Sequence, residues 1–531
     1  MTSATRTSTW ALGCLLTLSL LGCSPTTEAP ASVTETPSKG GTLVIGSKSD
    51  VQTWNEYLNA DAPTLKVLRR IHLPLARVTD PSILDDSTVE PLLAASWSID
   101  EDEPAITFTL RDATWSDGQP IVAQDVRFTW QAQTSADVGW GSAASKRFID
   151  DVEVVSPEVV VFRFSQRYPD MLADAIDGGI LPAHVYGTIP LVDWKTHDWS
   201  TVDIASGPYR RADHTIGQQV RLVRNPSYYN ADDVYLDEVV VRVVPDDTNL
   251  MQQLTSGDID FVDGIPQDSA DRLATDDGID VGGYRLPNYD YIGWNGARPP
   301  LDNPAVRRAL TMAIDREELV DTLLFGYGRV ASGPVPSSHS AHDGSAGPWP
   351  TDAETARTLL NEAGVEGLKI TLLTNVGNRI RSDAAIRIQS QLQAVGVEIE
   401  IRTVELSALR RQVAGGDYDA YLGGWNFSGK IELTGLFHSK RRFPDGFNLV
   451  ALESPEVDAI LDRLDAATDH EGYRVAAGEL QHAIREVQPY TFLFEKERVA
   501  AWSGRVRGVT LNDTFDTYAH LESFWVTGDG G

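Results

Sequence analysis

His339 and His342 stand three residues apart in Ser337-Ser338-His339-Ser340-Ala341-His342-Asp343-Gly344, a spacing that could bring two imidazoles to one metal ion. The Ser-, Gly- and Asp-rich surroundings are those of a solvated loop, and no further histidine lies close by in sequence to complete a ligand set. No metal and no cofactor is therefore expected. Nucleophilic catalysis finds no better footing. The two cysteines are Cys14 and Cys23, both near the N-terminus, which leaves the body without a thiol and without an internal disulfide. There is no glycine-rich phosphate loop and no Gly-x-Ser-x-Gly elbow. With 76 Asp and Glu, abundance hides any acid–base pair. These residue types do not suggest an enzyme.

Binding chemistry is better represented. Where short apolar runs end, indoles and amides gather. After Leu43 to Gly46 come Ser47, Asp50, Thr53, Trp54 and Asn55. After Leu368 to Leu373 come Thr374, Asn375 and Asn378. After Ala420 to Gly424 come Trp425, Asn426 and Ser428. An apolar wall with a few fixed hydrogen-bonding groups is what a small-molecule cleft needs. Gly423 and Gly424 leave room beside Trp425. The candidate ligand contacts are Trp425, Asn426, Ser428, Trp54, Asn55 and Asn375, with Trp294 and Trp140 as further indoles.

The elements that must hold these loops can be read from periodicity. Gly40 to Gly46 is a short buried strand entered and left through glycine. Ile106 to Arg111 alternates as a half-buried strand, and Val152 to Val155 with Val159 to Phe164 flank a turn at Ser156-Pro157-Glu158. Gln219 to Arg224 and Val239 to Val244 are further strands, and Thr248 to Ser256 is a helix stopping at Gly257. Asn303-Pro304 caps a helix reaching Ile314. Thr351 to Glu354 matches a capping box for a helix ending at Gly364. From there strand and helix alternate: strand 368–373, helix 380–395, strand 397–404, helix 407–414, strand 420–424, then a helix opened by Ser454-Pro455. Such alternation implies parallel strands joined by right-handed crossovers, and open sheets of this kind bind ligands at their carboxyl ends.

Arg6 is the only charge before Glu28, and the apolar run Trp10 to Leu21 is shorter than a bilayer requires. It reads as an export signal, residues 1–22. Leu20-Leu21-Gly22-Cys23 resembles a bacterial lipobox, with Cys23 acylated. Residues 23–39, rich in Ser, Thr, Pro, Ala and Glu, would be a flexible tether. The net charge of −31 disfavours nucleic acid and favours a well-solvated surface.

Several stretches now align with a known family. Val89-Glu90-Pro91-Leu92-Leu93-Ala94-Ala95-Ser96-Trp97, then Ile106 to Arg111, Trp115-Ser116-Asp117-Gly118-Gln119-Pro120 and Ala123-Gln124-Asp125-Val126 come in the family's order. Ser206-Gly207-Pro208-Tyr209, Arg224-Asn225-Pro226-Ser227-Tyr228-Tyr229, and Asn295 to Pro300 leading into Asn303 to Arg316 continue it. The chain resembles the family-5 extracytoplasmic solute-binding proteins, the dipeptide, oligopeptide and nickel-binding components of ABC importers, in lipoprotein form. The resemblance implies an α/β, two-lobed periplasmic-binding-protein-like fold (type II, cluster C) with an extra inserted strand-rich subdomain. Lobe I would comprise 40–75, 201–286 and 499–526, the insertion 76–200 and lobe II 287–498. The lobes would close about a hinge on a peptide or other small polar solute, and a membrane ABC permease would be the partner of this monomer, held by its lipid outside the cytoplasm. Peptide-binding members carry an Asp three residues after the Trp matching Trp425, where it pairs with the peptide's amino group. Here Ser428 stands there, and the nearby acid is Glu432. That departure keeps an oligosaccharide ligand open beside a peptide. A secreted hydrolase and a sensory receptor are alternatives of other classes.

Overall fold

The strand Tyr490–Ser503, 14 residues long, runs through the middle of the molecule. Its first part pairs antiparallel with Asn288–Trp294, and its second part with Phe261–Ile265 and Ile279–Arg285. One strand thus belongs to both ends of a 12-stranded mixed sheet. The computed structural model describes residues 36–58, 60–80, 88–427, 431–511 and 516–528. The expected export signal, Cys23, most of the tether and Ser428 lie outside those residues.

Burial explains the strand. Tyr490 to Phe494 and Val499 to Ala501 are buried apolar runs, apart from Thr491, while Lys496 to Arg498 between them are more accessible. The chain passes between the two ends of the sheet at this charged stretch, and again at Leu286-Pro287, between Ile279–Arg285 and Asn288–Trp294.

At one end, Lys369–Asn375 pairs parallel with both Glu398–Val404 and Ala420–Asn426, as the alternation of strand and helix predicts. Ala420–Asn426 then pairs antiparallel with Asn288–Trp294, so this part of the sheet is mixed. Period-two alternation divides its side chains. Tyr289, Tyr291, Tyr421, Tyr490 and Phe492 face a core with Leu461, Leu480 and Ile484, from helices Pro455–Asp465 and His470–Val487. Ile292, Trp294, Leu422 and Leu493 face the opposite core, with Val306, Leu310, Ile388 and Leu392 from helices Pro304–Met312 and Arg379–Gln393. The helix Ala353–Glu362 departs from expectation in one detail. Asp352, not Thr351, caps it, accepting from the backbone of Glu354 and Thr355, while the Thr351 hydroxyl donates to the Ile314 carbonyl. A carboxylate at the cap accepts both N–H groups more strongly than a hydroxyl can.

At the other end, Thr42–Ser47 is parallel to Glu238–Val243 and Phe261–Ile265. Gln219–Arg224 and Tyr209–Thr215 extend the sheet antiparallel. A separate four-stranded antiparallel sheet, in the order Ala94–Ile99, Ala105–Leu110, Val159–Phe164, Ile149–Val154, contains the expected hairpin. Its Phe108, Val160 and Phe162 join the same core as Leu43, Ile45 and Phe261 of the large sheet.

Candidate ligand-binding site

The carboxyl ends of Lys369–Asn375 and Ala420–Asn426 lie beside the two chain crossings. The structure gathers Asn375, Trp425 and Asn426 there. Tyr289 is the cross-strand partner of Trp425, and Asn288 of Asn426. The Phe427 backbone N–H donates to the Pro287 carbonyl at 2.8 Å, tying the segment that follows Trp425 to the crossing. Trp425 is half-buried and meets Phe447 edge to face, ring centroids 5.7 Å apart. Phe447 is 54% exposed, so this aromatic pair has a solvent-facing side. Behind it, burial pushes the Tyr490 phenol up to about 12.

Helix Arg379–Gln393 begins in the loop after Asn375. Asn378 caps it, its Oδ1 accepting from the Arg381 N–H. The capping places Arg381 over a buried carboxylate that periodicity gave no reason to single out, Asp290, within the fully buried strand Asn288–Trp294. Arg381 Nη2 donates to Asp290 Oδ1 at 2.8 Å, and Lys496 Nζ donates to Asp290 Oδ2 at 2.8 Å. Burial alone would raise the Asp290 pKa; Lys496 and Arg381 outweigh it and hold the carboxyl below the ordinary range. Gly424 is required here. A Cβ at 424 would collide with Arg381 Nη2 and Asp290 Oδ1, so the glycine before Trp425 makes room for this ion cluster.

Arg379, two residues before Arg381, reaches across to the other end of the sheet and pairs with Asp268 of helix Gln267–Leu273 at 3.2 Å. The start of helix Arg379–Gln393 therefore borders the space between the two ends. Near the crossing, Asp263 is the counterpart of Asp290. It holds Lys66, accepts from Arg498 Nε at 3.2 Å and from the Tyr284 hydroxyl at 2.8 Å.

The remaining candidates are dispersed. Trp54 is buried, its indole N–H 3.3 Å from His214 Nδ1 and its ring beneath the Arg211 guanidinium. Asn55 is fully buried, and its Oδ1 accepts from the Tyr57 N–H at 3.0 Å. Trp140 packs edge-on against Tyr57. Trp294 lies at the opposite end of its strand from Tyr289, buried, and its indole donates to the Thr491 hydroxyl at 2.9 Å. Trp54 and Trp140 belong to one hydrophobic core, Trp294 to a second, and Trp425 packs against a third. His339 is buried with Nδ1 accepting from the Ala341 N–H, and His342 faces the Val335 carbonyl. No described group of three His, Cys, Asp or Glu side chains is arranged to hold a metal. A surface hollow of about 320 Å³ beside His342 is lined also by Asp343, Glu479 and His482.

Residues 88–435 match the bacterial extracellular solute-binding proteins, family 5. The chain is 27% identical to the oligopeptide-binding protein AppA of Bacillus subtilis, over 96% of this chain and 97% of that protein. It is 26% identical to the probable D,D-dipeptide-binding periplasmic protein DdpA of Escherichia coli, over 91% of this chain and 93% of that one. The structure of AppA in complex with a nonapeptide superposes with a TM-score of 0.69, covering 93% of this chain and 100% of that chain. The substrate-binding protein CtaP of Listeria monocytogenes superposes with a TM-score of 0.80 at 22% identity, over 92% and 100% of the two chains, and shares the fold.

Proposed function

Because the chain belongs to the bacterial extracellular solute-binding proteins of family 5, whose members are non-enzymatic binding components of ABC transporters, we propose that it captures a short peptide or similar polar solute by closing two lobes around it. Membership removes the hydrolase alternative and makes an ABC permease the partner. The lobes are 40–75 with 201–286 and 499–526, carrying the insertion 76–200, and 287–498. Their hinge is the pair of crossings at Leu286-Pro287 and Glu495 to Arg498. The observation that carries this reading is the convergence of Asn375, Trp425 and Asn426 on the carboxyl ends of parallel strands beside both crossings. Two covalent connections and a shared strand suit a hinge in which each lobe moves as a body. No described helix is long and apolar enough to cross a membrane. We infer that Cys23 carries the lipid and that the protein acts as a monomer outside the cytoplasm.

An oligosaccharide is the second reading. Ser428 replaces the acid that would pair with a peptide amine, and the exposed flank of the Trp425–Phe447 pair suits a sugar ring. The test is a thermal-shift screen of residues 40–531 against di- to pentapeptides, oligosaccharides and nickel chelates. A ligand that binds only the folded chain raises Tm with the logarithm of its concentration. Peptide hits support the first reading and sugar hits the second. Silence from all three classes removes both.

A further inference from the structure

Helix Gln267–Leu273 of lobe I is braced from across the crossings. Gln267 Nε2 donates to the Glu497 carbonyl of the crossover strand at 3.1 Å. Ala270 and Leu273 join a buried core with Leu250 and Val262, and Tyr327, from lobe II, packs against that core. Tyr327 lies so close to the strand Ile279–Arg285 that a Cβ at Gly283 would meet its ring at 3.3 Å. Its carbonyl accepts from the Glu497 N–H at 3.1 Å. The fourth contact differs in kind. Asp268 pairs with Arg379, the first residue of helix Arg379–Gln393, at 3.2 Å, and the two side chains are 38% and 75% exposed. An exposed pair of this sort is weak and reversible. Asp383 also approaches Arg379, at 3.6 Å, but it sits on the same helix and spans nothing. Local structure gives Arg379 no role, because a cation in the first turn opposes the helix dipole. Its bond to the other lobe does.

We propose that Arg379 and Asp268 form a releasable latch that sets the angle between the lobes in the ligand-free chain, with Tyr327 as the bearing against which lobe II turns. The inference rests on the two-lobe reading above and adds a control to it: the lobe angle responds to ionic strength. Tyr327 and Gln267 act beside the crossover strand, where a change of angle moves atoms least, so they persist as the lobes turn. The ion pair joins two helices of different lobes and holds only while they are in contact. At an ionic strength of about 1 M the screening length falls to about 3 Å, the attraction is lost and the lobes part at this edge. Lobe opening thereby follows the salt of the medium with no salt-sensitive group touching the solute.

The test is a distance measurement between two spin labels on ligand-free residues 40–531. That span contains no cysteine, so Ala274→Cys and Ile386→Cys, both at exposed positions on either side of the pair, supply the only labelling sites. The short-distance population is expected to fall about two- to fivefold in Arg379→Asp, and in the unsubstituted chain at about 1 M salt. Adding Asp268→Arg to Arg379→Asp reverses the pair and should restore that population; a failure to restore it overturns the ion-pair assignment. Both positions are solvent-exposed, so the fold is retained and melting curves verify it. Pro287→Gly, which frees the backbone at the first crossing, is the control. If it broadens the distribution while Arg379→Asp and salt leave it unchanged, the lobes move and the latch is overturned. A distribution that stays narrow in every case, Pro287→Gly included, overturns the two-lobe reading along with it.

Discussion

Lys496 and Arg498, two residues apart on the crossover strand, are anchored to opposite ends of the sheet: Lys496 Nζ lies 2.8 Å from Asp290 Oδ2, and Arg498 Nε 3.2 Å from Asp263 Oδ1. Because residues i and i+2 of a strand project to the same side, one face of one strand holds a carboxylate from each end. The pairs stand at the place where the chain must bend if the ends move.

Asp263 sits between Lys66 and Arg498, with Lys66 as buried as Asp263 itself. Asp263→Asn removes the countercharge and leaves Lys66 desolvated, which is expected to cost about 3–5 kcal/mol in urea unfolding. The pH dependence follows. Burial raises the Asp263 pKa, but Lys66 and Arg498 outweigh it and hold it below the ordinary range. Its stabilising contribution is complete above the unfolded value near 3.9 and is lost as pH falls through the lower folded value. The variant should lack that portion of the acid transition.

Glu495 behaves in the opposite sense. Burial raises its pKa, and the Ser337 hydroxyl and N–H offset this only in part. Its contribution is complete below the unfolded value near 4.3 and is lost as pH rises through the folded value. The wild-type protein should therefore gain Tm relative to Glu495→Gln as pH is lowered from neutrality towards about 4.3. A constant difference across that window would show that Glu495 does not titrate as described.

Gly424→Ala drives a methyl group into the Arg381–Asp290 contact. Overpacking of this kind is expected to cost about 1–3 kcal/mol, and here it also displaces the guanidinium. Chemical denaturation should show the loss, and ligand affinity should fall with it. Gly257→Ala is the comparison. It meets no atom within 4 Å, so it carries only the strain of a left-handed residue at a helix end and should leave affinity alone.

Trp425→Ala should weaken ligand binding about tenfold or more while leaving the cooperative unfolding transition in place, because the ring is only half-buried. Calorimetry against any hit from the thermal-shift screen checks it. Unchanged affinity would make Trp425 a packing residue of the Tyr490 core.

Ser428→Asp should improve capture of peptides with a free N-terminus over their acetylated forms, since it adds a carboxylate at the position where the family resemblance implies a partner for the peptide amine. The comparison is the ratio of the two affinities in wild type and variant.

The parallel core at 369–426 was legible because each helix carries one apolar stripe and each strand is short and apolar, so period and boundaries agree. Asn375, Trp425 and Asn426 followed from the rule that such sheets bind at their carboxyl ends. The strand Asn288–Trp294 was not legible, since Asp290 interrupts it and its countercharges lie 91 and 206 residues away. Tyr490–Ser503 was hidden for a related reason: Glu495-Lys496-Glu497-Arg498 has the composition of a solvated loop, and only tertiary pairing makes it strand. Trp294 illustrates the converse. An indole reads alike in a cleft and in a core, and its partner Thr491 is known only once Tyr490–Ser503 is placed beside it.

The crossover strand also bears on how such a chain is put together. Arg285, just before the first crossing, is the cross-strand neighbour of Glu497, within the second. The 211 residues between them leave and return through adjacent positions of one antiparallel ladder, about 5 Å apart. Joining Arg285 to Glu497 with a tight two-residue turn would convert Ile279–Arg285 and the remaining strand into an ordinary hairpin, leaving every other connection in its place. In terms of connectivity, the intervening segment enters and leaves through one rung of a ladder that could close as a hairpin without it.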